Sequence, residues 1–243
     1  MKRLSLILPT YNESENIRKL VPQLEAFFKK NRLDAEILVV DDNSPDKTWK
    51  VAQNLNKKYG NIRVLRRKQK EGVGAALKEA YDKANAKILL SMDADLALEV
   101  EEIALLLKEI DSGHDMVIGS RFEKGSFFEK KSNIIKLRGI ISDWGNKYLS
   151  LITCTPVSDF SLNFRAMKSE VWKKIKPTDK RNFFLAEMII QAKIAGFKVK
   201  SVPATFRERS YGESKTKVAN QFFVFFFKAL KYAFPLQWVY RKR

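Results

Sequence analysis

Two aspartates separated by one residue are the clearest chemical feature of this sequence. Asp93 and Asp95 follow Ile88 to Met92, a short apolar run typical of a buried strand. Side chains alternate in direction along an extended segment, so both carboxylates are expected on the same side. Carboxylate oxygens suit Mg²⁺ or Mn²⁺, which also bind the phosphate oxygens of a substrate. The pair therefore predicts a metal site, although a capping turn after a strand would show the same residues.

A second acidic pair, Asp41 and Asp42, ends the apolar run from Glu36 to Val40. A carboxylate at this place could accept hydrogen bonds from the N–H groups of a nucleobase, and both uracil and guanine carry such donors. A helix N-cap before Asp46 would explain the same residues without a ligand.

Several glycines and basic residues are candidates for binding phosphate. Gly72 and Gly74 open a predicted helix, where glycine permits the close approach of an anion or simply close packing. Arg138 and Ser142 stand four positions apart on a predicted helix, so both could reach one phosphate group. Guanidinium and ammonium groups in polar surroundings also match phosphate oxygens, or are solvated surface residues; these are Arg121, Arg165, Arg209 and Lys215.

Alternating strands and helices position these motifs in the first 120 residues. Short apolar runs at 4–8, 36–40, 62–65, 88–92 and 116–118 alternate with helical spacing. This pattern predicts an α/β fold, a mostly parallel sheet with helices on both faces. Ligands bind outside the carboxyl ends of the strands in such sheets. Four polar clusters follow strand ends and predict one site: Thr10 to Glu13, Asp41 to Ser44, Asp93 to Asp95, and Ser120-Arg121.

The second half is predicted to contain amphipathic elements. A helix is expected over Ser132 to Ile152, with an interruption at Gly139 or Gly145 left open, and Val157 to Arg165 is expected to be extended. The remaining predictions are a helix over Phe184 to Ala195, a strand over Lys198 to Phe206, and a last helix over Thr216 to Phe234. Phe222, Phe225 and Phe226 share one stripe of that last helix.

Composition and charge narrow the classes of partner. The chain has 243 residues, with 46 Lys and Arg against 28 Asp and Glu, a net charge of +18. Such a surface attracts nucleic acid, anionic lipid or phosphorylated substrates. The single cysteine, Cys154, excludes an intrachain disulfide, and the single histidine, His114, excludes a histidine-rich metal site. We expect no secretory signal, because the apolar stretch after Met1-Lys2-Arg3 is short and ends at Pro9, and no membrane-spanning helix, because no apolar run reaches 18 residues.

Ordered motifs in the chain resemble those of the inverting GT-A glycosyltransferases of family 2. The matching strings are Pro9 to Glu13, Val39 to Thr48, Met92 to Leu96, and Gly119 to Phe122. The branch of dolichol-phosphate mannose synthases and polyprenyl-phosphate glycosyltransferases is the most similar. The likeness covers roughly residues 3 to 217 and continues in order through Asp159 to Arg165, Glu187-Met188, Arg209, Gly212, Ser214 and Lys215.

The resemblance implies a GT-A Rossmann-like fold and a role for each matching residue. Asp93 and Asp95 would hold Mg²⁺ or Mn²⁺, and Arg121, Arg138 and Ser142 would hold an acceptor phosphate. The residues implied in catalysis are Asp95, Arg121, Arg138, Asp159 and Glu187, with Glu187 lining the sugar pocket. The residues implied in binding the nucleotide sugar are Pro9, Tyr11, Glu13, Val40, Asp41, Asp42, Gly74, Asp93, Ala94, Arg209 and Lys215.

Two positions depart from the family pattern. Ala97 stands where the family usually has a glutamine that often helps to hold the metal. Ser161-Leu162-Asn163 stands where the family has Thr-Ser-Gly, near the expected sugar pocket. The second departure leaves the identity of the sugar open.

The expected activity is transfer of a sugar from a nucleotide sugar, with mannose from GDP-mannose as the first expectation, to dolichyl or polyprenyl phosphate. A phosphate monoester, with a second pKa of about 6, is ionised near neutral pH and needs no general base. A hydroxyl acceptor would need one, and Asp159 is the candidate. The alternatives are a UDP-glucose or UDP-N-acetylglucosamine transferase acting on polyprenyl phosphate or a saccharide hydroxyl, and a non-catalytic basic membrane-binding module.

Two regions are expected along the chain. Residues 1–217 would form the GT-A catalytic domain, and residues 218–243 an amphipathic basic and aromatic helix with a tail. We expect the protein to be cytoplasmic and peripheral at the cytoplasmic face of the membrane, because burial of apolar groups beside basic charge binds anionic bilayers. The alternatives for the aromatic stripe are packing on the sheet and contact with a membrane partner subunit; nucleic acid is not an expected partner.

Overall fold

A seven-stranded sheet is the centre of the part of the chain that the structure describes. The structure is a computed structural model, and it describes residues 2–128, 133–207 and 225–233, with the backbone alone for 128 and 133–138. The strands of the main sheet are β1 (Lys2–Thr10), β2 (Ala35–Asp41), β3 (Ile62–Arg66), β4 (Ala86–Met92), β5 (Met116–Ser120), β7 (Phe164–Lys168) and β8 (Val199–Pro203). Two short strands, β6 (Phe127–Phe128) and β9 (Thr205–Phe206), pair separately.

Helices cover both faces of this sheet. They are α1 (Ser14–Lys30), α2 (Thr48–Tyr59), α3 (Val73–Lys83), α4 (Ile103–Asp111), α5 (Asn133–Thr153), α6 (Ser169–Lys174) and α7 (Phe183–Ile194), and residues 225–230 are also helical. Strand side chains alternate between two cores: Leu6 and Leu8 face α1 and α4, whereas Ile7 faces α3 and α7. Both faces are therefore buried, as a parallel sheet requires. The predicted α/β class is confirmed.

The strand order is β3-β2-β1-β4-β7-β5-β8, and β7 is antiparallel to both of its neighbours. The expected extended segment, Val157 to Arg165, becomes a regular strand only from Phe164 onward. Because β7 runs against β4 and β5, its amino-terminal end lies where theirs are carboxyl ends. The connection at 155–163 therefore meets the edge that carries the predicted polar clusters.

The second half follows the predicted helices with some differences. Helix α5 runs through Gly139 and Gly145 without interruption, and the short helix α6 was not predicted. Within the described residues 225–233, Ala229 and Tyr232 are buried in the core. This part of the C-terminal region therefore packs on the hydrophobic core beside α7, while a domain boundary at residue 217 stays a prediction. No helix in the described ranges combines the length and the apolar character needed to cross a bilayer.

Candidate active site

Four polar clusters meet at one edge of the sheet, as the sequence predicts. The register pairs Thr10 of β1 with Asp41 of β2, and Met92 of β4 with Phe164 of β7. Ser120 at the end of β5 pairs with Pro203. The carboxyl ends of the parallel strands and the amino-terminal end of β7 therefore share an edge, which is where ligands bind in this class of sheet.

The loops after β1 and β2 are joined by hydrogen bonds. The backbone N–H of Asn12 donates to Ser44 Oγ at 3.0 Å, and the N–H of Glu13 donates to Thr48 Oγ1 at 3.0 Å. The N–H of Ser14 donates to Asp46 at 3.0 Å. Such bonds order the loops before a ligand arrives, which lowers the entropic cost of binding.

Asp41 is the centre of this loop pair. Its buried carboxylate accepts from the Ser44 backbone N–H at 2.8 Å, from Ser44 Oγ at 2.5 Å and from Thr10 Oγ1 at 3.1 Å. A carboxylate has about four lone-pair sites, so three internal bonds leave little capacity for a base. Contact between Asp41 and a nucleobase stays a prediction, and its observed role is to order the loops.

Asp42 pairs with Arg67, a residue that the sequence reasoning missed. The buried guanidinium of Arg67 also contacts Glu71 at 2.7 Å and Glu79 at 3.1 Å. Burial lowers the pKa of a guanidinium, but Asp42 and Glu79 outweigh it, so the pKa of Arg67 lies above its ordinary value. Its position directly after β3, at the edge that carries the other clusters, was the signal that could have identified it.

The remaining nucleoside candidates differ in their access. Pro9 and Tyr11 are partly exposed, and Lys70 lies 3.8 Å from the centre of the Tyr11 ring. Glu13 accepts from Asn16 Nδ2 at 2.6 Å. The side chain of Val40 is fully buried in the core, so only its backbone is available to a ligand.

The Asp93 to Asp95 segment is not extended, which corrects the expected alternation of its side chains. The chain bends over residues 94–96, and Leu96 has a φ of 60°. Asp95 is only 3 % exposed and accepts from the Ala97 backbone N–H at 3.2 Å. Asp93 is partly exposed and accepts from Asn163 Nδ2 at 3.0 Å.

The two aspartates fit a divalent cation that also binds phosphate. Within the described ranges, no group of three or more His, Cys, Asp or Glu side chains is placed to hold a metal. In the predicted metal site, Asp93 and Asp95 would supply two hard oxygen ligands, and phosphate oxygens of a nucleotide would supply others. Ala97, where the family has glutamine, is buried and has no ligand atom in its side chain.

Gly74 packs against protein, which corrects its expected place beside a phosphate. A Cβ at Gly74 would lie 2.6 Å from the backbone oxygen of Asp179 and 2.6 Å from Cβ of Phe184. The N–H of Ala75 donates to the oxygen of Lys180 at 3.1 Å. The start of α3 is thus covered by the 179–181 backbone, and close packing explains the glycine.

Arg121 and Asp159 form a buried ion pair. Arg121 Nε lies 2.8 Å from Asp159 Oδ2, and Arg121 also donates to Ser161 Oγ at 2.8 Å. Asp159 further accepts from the backbone N–H groups of Ser161 and Leu162. Burial raises the pKa of Asp159, but the Arg121 charge and these hydrogen bonds outweigh it and hold the pKa below its ordinary value. The geometry makes Asp159 a partner of Arg121 and a poor proton acceptor.

Two other charged residues, Arg165 and Glu187, are buried and bond to groups inside the protein. Arg165 is fully buried and donates to the backbone oxygens of Leu185 and Leu162, so it does not reach a phosphate at the surface; burial lowers its pKa to about 10. Glu187 accepts from the backbone N–H of Thr178 and from Tyr232 Oη. Glu187 is buried and ties the 178–179 loop to the C-terminal segment, and its expected place lining the sugar pocket stays a prediction.

Three predicted phosphate ligands have side chains outside the described residues. Arg138 belongs to α5, but its side chain, like Arg209 and Lys215, lies outside the described residues. Ser142 on the same helix is partly exposed. The N–H of Arg207 donates to the backbone oxygen of Ala97 at 2.8 Å. Arg207 therefore lies beside the loop that carries Asp95.

Solved structures share this fold. A glucosyl-3-phosphoglycerate synthase from Mycobacterium tuberculosis, solved with Mn²⁺, UDP and phosphoglyceric acid, has a TM-score of 0.69 at 16 % identity over 94 % of this chain and 78 % of its own. A mannosyltransferase from Pyrobaculum calidifontis, solved with GDP-Man and Mn²⁺, has a TM-score of 0.63 at 19 % identity over 95 % and 64 %. At these identities the likeness shows the fold, which is GT-A.

Sequence comparison shows the family. The model for glycosyl transferase family 2 matches residues 5–176. A dolichol-phosphate mannosyltransferase from Pyrococcus furiosus is 36 % identical over 88 % of this chain, which spans 59 % of that relative's length. A polyprenol monophosphomannose synthase from Mycolicibacterium smegmatis is 33 % identical over 90 % of this chain and 83 % of its own. The chain therefore belongs to glycosyl transferase family 2 and is a glycosyltransferase of the GT-A type.

Proposed function

We propose that the chain transfers mannose from GDP-mannose to dolichyl or polyprenyl phosphate, with inversion at the anomeric carbon. The names of the two relatives support this acceptor and this sugar. One observation in the structure favours a phosphate over a hydroxyl acceptor: Asp159, the candidate base, is fully buried against Arg121.

A hydroxyl nucleophile would need a base whose pKa lies near the working pH. The pKa of Asp159 is held below its ordinary value, and its oxygens already accept hydrogen bonds from Arg121 and Ser161. A phosphate monoester is already anionic, with a second pKa of about 6, so the protein only has to position it and offset its charge.

The donor side of the edge supplies binding and orientation. We assign the nucleoside to the loops that carry Tyr11, Glu13 and Asp41, and the diphosphate to the Asp93 and Asp95 segment. A divalent cation held by these two aspartates would offset the charge of the departing diphosphate. Arg209 and Lys215 follow Arg207 in the chain, whose backbone bonds to Ala97, and this supports their predicted contact with the diphosphate.

The acceptor side supplies cations to the nucleophile. Arg121 is held rigidly by Asp159 and Ser161, and we assign Arg138 and Ser142 of α5 to the same phosphate. An oxygen of the acceptor phosphate attacks the anomeric carbon and forms the new C–O bond. The bond from that carbon to the diphosphate breaks, and its electron pair leaves with the nucleoside diphosphate. Fixed positive groups around both phosphates stabilise this transfer of charge.

A donor panel tests the proposal. Purified protein with Mn²⁺ and polyprenyl phosphate is supplied in turn with GDP-mannose, UDP-glucose and UDP-N-acetylglucosamine, and the lipid product is weighed by mass spectrometry. Mannosyl phosphoryl polyprenol is expected with GDP-mannose alone. A product with a UDP-sugar would replace the donor assignment. Transfer from none of the three by folded protein would contradict the proposal and favour the non-catalytic membrane-binding module.

We also propose peripheral contact with an anionic membrane, through a different surface from the predicted stripe. Phe225 packs on Phe183, and Phe226 stacks on Tyr148, so these two rings face protein. Helix α5 instead exposes an apolar face, formed by Ile140, Trp144 and Leu151, with Trp144 69 % and Leu151 78 % exposed. Phe227, which contacts Phe226, and Leu230 are exposed as well.

This exposed face fits a bilayer surface. Its residues are spaced by four and seven positions and so share one side of α5, the helix that carries Arg138. The net charge of +18 favours an anionic leaflet, and the cytoplasmic leaflet is anionic. Liposome flotation tests the contact with the double variant Trp144→Ser and Leu151→Ser. Binding to anionic vesicles should fall, and should not fall for Leu105→Ser on α4, an exposed leucine outside the face. Equal binding of both variants would contradict this surface.

A further inference from the structure

A line of buried hydrogen bonds ends on Asp93. Tyr81 Oη donates to Ser91 Oγ at 2.8 Å, Ser91 Oγ donates to Asn163 Oδ1 at 2.6 Å, and Asn163 Nδ2 donates to Asp93 Oδ1 at 3.0 Å. Tyr81, Ser91 and Asn163 are each at most 2 % exposed. A polar line of this kind costs free energy unless every group is satisfied, so its presence in the core calls for a reason.

The direction of the protons in this line follows from its end. A carboxylate only accepts, so the Asn163 amide must turn its N–H₂ group to Asp93 and its oxygen to Ser91. The single hydroxyl proton of Ser91 is then used on Asn163, and Tyr81 must donate to Ser91. Burial raises the pKa of Tyr81 to about 12, which keeps that donor protonated. Every donor thus points toward Asp93.

Asn163 stands where the family string has glycine, which has no side chain to make this contact. Helix α3 contributes Tyr81, β4 contributes Ser91, and the segment before β7 contributes Asn163. Residues from three different elements therefore hold the Asn163 amide in one orientation, and that amide holds Oδ1 of Asp93. The contact belongs to this chain and is not implied by the family pattern.

We propose that Asn163 is a positioning residue that orients the Asp93 carboxylate toward a divalent cation bound with the nucleotide. The inference rests on the metal site of the proposed function. Hydrogen-bond partners that orient a metal ligand typically change metal affinity by roughly 10- to 100-fold when removed. Fixing Asp93 matters more in this chain because Ala97 provides no ligand atom where the family has glutamine.

The test measures Mn²⁺ affinity and does not depend on turnover. Mn²⁺ is titrated into the protein with saturating GDP and, in parallel, with UDP, and free Mn²⁺ is read from its electron paramagnetic resonance signal. Asn163→Ala should raise the dissociation constant for Mn²⁺ roughly 10- to 100-fold. Ser91→Ala should raise it less, because Asn163 remains but loses its support.

Ser5→Ala is the matched control. Ser5 and Ser91 are both fully buried serines on adjacent strands, and each donates one hydrogen bond, Ser5 to Glu36 at 2.5 Å. Each variant loses a buried hydroxyl and its donated hydrogen bond, yet only Ser91→Ala should bind Mn²⁺ more weakly. A purely structural role predicts that both variants bind Mn²⁺ like the wild type.

The outcomes separate this inference from the proposed function. If the wild-type protein binds no Mn²⁺ with either nucleotide, the metal site of the proposed function is itself contradicted. Wild type that binds Mn²⁺, with Asn163→Ala binding equally well, overturns only the role of Asn163. If Asn163→Ala does not fold, the comparison of Ser91→Ala with Ser5→Ala decides, and equal affinities overturn the role.

Discussion

The two halves of the active-site edge are built differently. In the donor half, which comprises the loops after β1, β2, β3 and β4, polar side chains bond to one another: Asp41 to Thr10 and Ser44, and Asp42 to Arg67. The acceptor half comprises the loop after β5, α5, residues 155–163 and residues 225–233. Here one rigid ion pair, Arg121 with Asp159, lies near a helix that exposes Trp144 and Leu151.

This difference matches the chemistry of two unlike substrates. A nucleotide sugar is small and polar, so a fixed set of donors and acceptors recognises it with little loss of entropy. A lipid phosphate brings a charged head and an apolar tail, so its site needs fixed cations beside a surface that tolerates lipid. Substitutions in the donor half should therefore affect the nucleotide sugar, and substitutions in the acceptor half should affect the lipid phosphate.

The largest expected effect is at the metal pair. Asp95→Ala should lower turnover by roughly two to three orders of magnitude, because a metal offsets several kcal/mol of developing charge. The melting temperature should stay close to that of the wild type. Turnover and thermal denaturation are measured on the same preparation, with Asp95→Asn as a variant of unchanged shape. Near-normal turnover by folded Asp95→Ala protein would falsify the metal role.

The next effect concerns the stability of the donor half. Arg67→Met leaves Asp42, Glu71 and Glu79 without their shared cation, and breaking a buried pair costs about 3–5 kcal/mol. Urea denaturation should show this loss, and donor binding should weaken while acceptor KM is unchanged in protein that remains folded. Arg66→Met is the control, since Arg66 is exposed and lies 4.2 Å from the Trp49 ring. Equal losses of unfolding free energy in both variants would show that the buried Arg67 contributes no more to stability than the exposed Arg66.

A smaller effect is expected in the acceptor half. Arg138→Ala should remove one charged hydrogen bond to phosphate, worth about 1.5–3 kcal/mol, and so raise acceptor KM, lower kcat or both. Donor affinity should be unchanged. Lys147→Ala on the same helix removes an exposed cation that pairs with Asp143, and it should leave the kinetics unaltered. Weaker donor binding with normal acceptor kinetics in Arg138→Ala would reverse the assignment of the two halves.

The smallest effect is a dependence of stability on pH. Because the folded pKa of Asp159 is lowered, its contribution to the free energy of unfolding is complete above its unfolded value of about 3.9. It is lost as the pH falls through the lower folded value. Urea denaturation of wild type and Asp159→Asn at about pH 6 and pH 3 should show the gap between them shrinking at the acid end. A constant gap would mean that Asp159 is not held ionised by Arg121.

The donor half was largely predictable from sequence because short segments of the chain show where its strands and loops lie. Apolar runs at 4–8, 36–40 and 88–92 alternate with helical segments and so indicate parallel strands, and parallel strands bring their carboxyl ends together. The end of β3 marks Arg66, Arg67 and Lys68 together as residues of this edge, but the sequence does not show that Arg67 is the one that turns inward. Gly74 was misassigned because a glycine beside a phosphate and a glycine beside the 179–181 backbone look identical in sequence.

The acceptor half was less predictable because it depends on contacts between distant segments. The antiparallel insertion of β7 brings Asn163 to Asp93, seventy positions away, and no local pattern indicates that pairing. The stripe with Phe225 and Phe226 has the spacing of a membrane-binding face. Spacing identifies an apolar face but not what covers it, and here Phe183 and Tyr148 do so.

The most direct measurement compares two acceptors that differ only in the nucleophile. Polyprenyl phosphate and the corresponding polyprenol are each incubated with the protein, Mn²⁺ and GDP-mannose at neutral pH, and products are identified by mass. Because Asp159 is held by Arg121 and cannot serve as a base, we predict product from the phosphate and none from the alcohol. Transfer to the alcohol at a comparable rate, lost in Asp159→Asn, would contradict the account.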